Sequence, residues 1–94
     1  MHIPKKIKLG GHIIKVKKVN FDEINSPGEF IRYHQVIRLR QDKDIPEDQQ
    51  EGTFLHEIIE AIVQFNKLDL DHTHLTVLSE SLYQVIKDNK IDWR

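Results

Sequence analysis

Residues 44–66 read Asp44-Ile-Pro-Glu-Asp-Gln-Gln-Glu-Gly-Thr-Phe-Leu-His-Glu-Ile-Ile-Glu-Ala-Ile-Val-Gln-Phe-Asn66. This stretch begins like a helix. Proline suits the first turn, and Glu47 and Asp48 suit the positive end of the helix dipole. The spacing predicts a helix from about residue 46 to residue 66. Setting His56 at zero and advancing about 100° per residue sorts its faces. Phe54, Leu55, Ile58, Ile59, Ile62, Val63 and Phe65 occupy an arc from about 160° to 340°. Thr53, His56, Glu57, Glu60 and Gln64 occupy the arc from about 0° to 100°. A wide apolar face thus stands beside a compact His/Glu cluster.

The chain before this helix alternates with a period of two. Lys5 to Leu9 and His12 to Val19 are strand patterns around Gly10-Gly11, a two-residue hairpin turn. Ile14, Val16 and Val19 are assigned to the core, and Lys15 and Lys17 to water. Asn25-Ser-Pro-Gly28 is a turn. Residues 29–40 are extended, with Ile37 and Leu39 on one face and 29–34 pairing back as a second hairpin. After the helix, Lys67 to Asp71 is a short link, and Asp71 or Thr73 can cap a second helix. That helix carries Leu75, Leu78, Leu82, Val85 and Ile86 and ends near Asn89. The expected fold is α+β in one domain. An antiparallel sheet (1–40) precedes a motif helix (46–66), a second helix (72–89) and a tail (90–94), whose Trp93 is expected to pack as an anchor.

Composition narrows the chemistry. The 94 residues include six His and no Cys. A disulfide framework, a Cys-based zinc finger and a thiol nucleophile are excluded. A metal here needs His, Asp or Glu. No apolar run approaches the ~20 residues of a membrane span, and Met1 to Lys6 lacks an apolar signal core. The cytoplasm is the expected compartment. The net charge of −1 hides an asymmetry. Residues 1–20 hold six Lys and no acid, whereas residues 21–94 hold eight bases and 15 acids.

Residues 56–60 read His-Glu-Ile-Ile-Glu. Positions i and i+4 share a helix face, so His56 and Glu60 point the same way and suit one metal ion. Glu57, about 100° around, can reach a water on that ion. A catalytic zinc site takes three protein ligands. His72, Glu80 and His74 are the candidates for the third. Ligand inventory favours His72, because Glu80 would put two carboxylates on the ion and reduce its pull on a water proton. His74 falls nearer the core side of its helix. His2, His12 and His34 read as solvated, and Tyr83 as a residue at the core edge that can also reach an oxyanion.

Thr53-Phe-Leu-His-Glu-Ile-Ile-Glu-Ala-Ile62, Leu70-Asp-His72 and Leu82-Tyr-Gln-Val-Ile-Lys-Asp-Asn89 resemble small phage- and prophage-encoded proteins of Gram-positive bacteria. Ile3-Pro-Lys-Lys-Ile-Lys-Leu-Gly-Gly-His12 and Pro27-Gly28-Glu29 are similar too, so nearly the whole chain is covered. Their motif helix resembles the active-site helix of zincin metallopeptidases, in a minimal form. The resemblance implies ligand roles for His56 and Glu60, a base role for Glu57 and a motif position at His72. It departs from the zincin pattern at Glu60, where zincins carry His. An anionic second ligand makes a less Lewis-acidic zinc.

The function expected is a Zn²⁺ site of His56, Glu60 and His72, with Glu57 as general base in hydrolysis of an extended peptide or protein segment. A strand of the 29–40 region offers an edge for such a peptide. The alternative is a non-enzymatic module or degenerate zincin that binds protein or nucleic acid. Lys5, Lys6, Lys8, Lys15, Lys17 and Lys18 form a basic face for the latter. The absence of Phe, Tyr or Trp before Phe21 counts against nucleic acid.

Overall fold

The computed structural model describes residues 3–89. Four strands come first: β1 (Lys6–Leu9), β2 (His12–Asn20), β3 (Gly28–Ile31) and β4 (Val36–Gln41). Two helices follow, α1 (Glu47–Asn66) and α2 (His72–Asp88). This is the expected α+β order. Trp93 and the tail lie outside the described residues.

Gly10 and Gly11 both take positive φ, 55° and 85°, which a tight turn between twisted strands requires. β1 and β2 pair antiparallel across it. β3 and β4 form the second antiparallel hairpin. Gln35 closes its turn at φ 52°, a left-handed conformation more usual for Gly or Asn.

The sheet as a whole corrects the antiparallel expectation for residues 1–40. Its order is β1-β2-β4-β3, and β2 pairs β4 in parallel, from Lys15↔Val36 to Asn20↔Gln41. The cause is the segment between β2 and β3. A 3₁₀ turn (Phe21–Glu23) and the Asn25–Gly28 turn carry the chain past the end of β4. β3 therefore starts one strand further out, and β4 returns into the gap. The register places Val16 beside Ile37, so the inward apolar faces coincide.

α1 is packed on two sides. Phe54 and Ala61 meet Ile14, Val16, Ile37 and Leu39 of the sheet. Leu55 and Ile59 meet Leu75 of α2. Ile62, part of the expected apolar arc, is 37% exposed. α2 is rotated from the expected stripe. Leu75 and Ser79 are buried, with Tyr83 and Ile86 packed at the same seam, while Leu78, Leu82 and Val85 are exposed. Seating Ser79 and Tyr83 against polar groups of α1 turns that leucine ridge outward. Among the described residues no helix is long and apolar enough to cross a membrane.

Candidate metal centre

The polar stripe of α1 lies between its two packed sides and opens into a cavity of 560 Å³. His56, Glu57, His72, Ser79, Glu80 and Tyr83 line it from the helices. Ser26, Pro27 and Gly28 close it from the sheet side. Gly28 is there because nothing larger fits. A Cβ at this position would meet Thr53 Cγ2 at 2.5 Å, Arg38 O at 3.3 Å and Glu57 Cγ at 3.4 Å. The missing side chain lets β3 start directly over Glu57.

His56 and Glu60 project from one face of α1, as their spacing requires. His72 is the first residue of α2, and its placement is set by the cap before it. Asp71 accepts a hydrogen bond from the His74 backbone N–H at 2.8 Å, the usual duty of an N-cap carboxylate. The His72 ring then meets the His56 ring edge to face at 5.4 Å. One donor atom each from His56, Glu60 and His72 lie within 4.8 Å of one another. Glu80 stands on the cavity wall outside this group. His74 is exposed, with its Nδ1 2.9 Å from Asp71 Oδ2.

The hydrogen bonds around His56 decide its tautomer. Ser79 is 1% exposed, and its hydroxyl donates to the Thr76 carbonyl at 3.0 Å. A serine hydroxyl has one hydrogen. With that hydrogen on Thr76, the contact from His56 Nδ1 to Ser79 Oγ at 3.2 Å is Nδ1–H donating to oxygen. Nε2 is left with its lone pair. The pKa of His56 is lowered, first by burial and then by His72, against the opposing pull of Glu60 and Glu80. Both effects keep the ring neutral and ready to bind a cation. Glu60 is steadied from its own helix, where Gln64 Nε2 donates to Oε1 at 3.1 Å. Oriented donors of this kind are what metal ligands need.

The set fits zinc chemically. Two imidazoles and one carboxylate are a known catalytic combination. Zinc–nitrogen bonds of about 2.0–2.1 Å in a tetrahedron hold ligand atoms about 3.3 Å apart. One donor atom from each of the three side chains already lies within 4.8 Å of the others.

Glu57 is 7% exposed beneath Gly28. Burial, then the nearby charges of Glu60 and Glu29, push its pKa up to about 7. A carboxyl in this range both accepts and returns a proton near neutral pH. Tyr83 donates its hydroxyl to Glu51 at 2.7 Å across the helix seam. Burial and then that bond raise its pKa.

Sequence reasoning missed Ser79, Glu51 and Gly28. Ser79 was legible in one respect, since Leu75, Ser79, Tyr83 and Ile86 recur every three to four residues like a seam. The stronger signal of Leu78, Leu82 and Val85 hid it. Comparison with protein-family models, curated proteins and solved structures finds no match to this chain.

Proposed function

We propose that this protein is a zinc-dependent, zincin-like hydrolase that cleaves extended peptide segments. The observation that supports this most is one convergence. His56, Glu60 and His72 come within metal-sharing distance beside a buried Glu57 whose carboxyl titrates near pH 7. The resemblance to minimal zincins is part of the same proposal.

His56, Glu60 and His72 would hold a Zn²⁺, which would supply Lewis acidity and lower a water's pKa from about 15.7 toward about 7. Glu57 takes the proton of the attacking water and returns it to the leaving amine. Its burial matters here, because the raised pKa makes its carboxylate a stronger base toward the water than a solvated glutamate. Ser79 acts through His56, holding the ring so that Nε2 faces the cavity. β3 borders the cavity and pairs with β4 on one side only, so an extended substrate can add to its outer edge by backbone hydrogen bonds.

The test is elemental analysis of protein purified without a His tag, followed by cleavage of an unfolded casein-type substrate. Near-stoichiometric zinc that is lost in His56→Ala is the expected result. Glu57→Gln should keep the metal and lose the cleavage. Wild type that takes up no zinc even after its addition overturns the metal site. Wild type that holds zinc and cleaves nothing overturns the hydrolase and leaves a metal-binding module.

A further inference from the structure

A second surface lies on the opposite side of the sheet from the metal centre. α1 covers the face bearing Ile14, Val16, Ile37 and Leu39. The reverse face carries Lys6 and Lys8 from β1 with Lys15 and Lys17 from β2, all exposed. The register sets Lys6 directly opposite Lys15, and Lys17 beside Arg38. Like charges facing each other across strands destabilise a sheet. Arg38 is balanced by Glu29 at 2.7 Å. The four lysines have no ion pair among the described residues. Lys15 and Lys17 stand about 6.6 Å apart along the strand, two residues on one face.

The parallel pairing adds what residues 1–20 lack. The Lys15 backbone N–H donates to the Gln35 carbonyl at 3.0 Å, which sets the 32–35 turn beside the lysine-bearing strand. That turn holds Tyr33, 92% exposed, against His34 edge to face at 5.4 Å. On the α1 side of that turn, His12 stacks on Phe65 at 4.5 Å and 8°, and the Arg32 guanidinium lies 5.9 Å from the same ring. His12, Arg32, Tyr33, Gln35 and Phe65 line a shallow recess of 450 Å³. The lysine-bearing face thus ends beside a turn that exposes an aromatic ring, with the recess behind it on the α1 side.

We propose that this face and the 32–35 turn at its end bind single-stranded nucleic acid, with phosphates on the Lys6/Lys8/Lys15/Lys17 track and a base stacked at Tyr33. Charge complementarity selects a polyanion. The exposed ring selects one with an unstacked π face, because bases stack on aromatic side chains irrespective of their identity. An acidic peptide satisfies the lysines and leaves Tyr33 without a role. A duplex keeps its bases stacked out of reach.

Fluorescence anisotropy with labelled twelve-residue oligo(dT) and oligo(U) tests this, in EDTA so that the metal centre plays no part. Micromolar binding at 50 mM salt is expected, weakening steeply by 200 mM. The double variant Lys15→Glu/Lys17→Glu should bind at least tenfold more weakly and flatten the salt slope by roughly 1.4, about 0.7 for each lost phosphate contact. Tyr33→Ala should weaken binding by about 5- to 150-fold with the slope unchanged. All three side chains are exposed, and unchanged thermal melting of the variants checks that the fold survives. Preference between the two oligomers assigns DNA or RNA through the 2′-hydroxyl. Binding that survives Tyr33→Ala, or equal competition by duplex or inorganic polyphosphate, overturns the proposal. So does binding of poly-glutamate in place of either oligomer.

Discussion

At the scale of single residues, the centre depends on hydrogens that have few places to go. Ser79 has one, and with it on the Thr76 carbonyl the Nδ1 of His56 is the donor to Ser79 Oγ. Ser79→Ala removes the acceptor and frees the ring to rotate. Loss of such an orienting partner typically costs 10–100-fold in metal affinity, roughly. Competition with a chromophoric zinc chelator should show that loss, with His56→Ala losing binding altogether. Glu57 gives the pH dependence of the metal-free protein. Its pKa is near 4.5 when unfolded and about 7 when folded. The folded state therefore holds this proton to higher pH than the unfolded state. Its contribution is fully present below pH 4.5 and is lost as pH rises to about 7, a change on the order of 3 kcal/mol. Urea denaturation in EDTA from pH 4.5 to pH 8 is expected to show falling stability, and Glu57→Gln to flatten that part of the profile. The His-Glu-x-x-Glu spacing was legible in the sequence because helical periodicity alone aligns i with i+4. The contact of Ser79 with His56 was not, because spacing along α2 does not say which group of α1 a seam serine meets.

At the scale of elements, the approach of β3 to α1 turns on one missing methyl group. Gly28→Ala places a carbon 2.5 Å from Thr53 Cγ2 and should destabilise the fold by about 1–3 kcal/mol, as overpacked sites do. Removing the clashing methyl by Thr53→Ser should recover much of that loss. A double-mutant cycle by chemical denaturation measures the coupling, and additive effects of the two changes would contradict the contact. Strand and helix positions followed from period-two and period-3.6 patterns, and the ends of α1 and α2 from Pro46 and Asp71. What periodicity does not contain is the order of strands. Each hairpin has the same local pattern whether β4 lies outside β3 or between β3 and β2. Likewise the leucines of α2 form a better apolar stripe than the Leu75–Ser79–Tyr83 seam that is used. Satisfying Ser79 and Tyr83 against α1 outweighed covering Leu78 and Leu82.

At the scale of the whole molecule, the candidate ligands come from both helices, so metal binding and tertiary structure are linked. A ligand that binds only the folded chain adds about 2.7 kcal/mol at 100 times its dissociation constant. For a domain of this size each kcal/mol moves the melting midpoint by about 4–8 °C. Zinc in that excess should therefore raise the midpoint by roughly 10–20 °C, and His72→Ala should abolish the shift while leaving the metal-free midpoint nearly unchanged. Differential scanning calorimetry with and without EDTA reads both. The basic reverse of the sheet predicts no such shift with zinc, which keeps the two surfaces experimentally separable.

The short link from Lys67 to Asp71 has a kinetic consequence. The stretch between His56 and His72 is mostly helix, built from local contacts, whereas the parallel β2–β4 pairing joins residues such as Lys15 and Val36 across an intervening strand. Helices form through contacts of low sequence separation, which form sooner than the pairing of distant strands. The helical hairpin can then assemble its ligand set before the sheet is complete. Zinc present at the start of refolding should speed the folding limb of a chevron plot, besides slowing unfolding. A cation that only tightened the finished structure would move the unfolding limb alone.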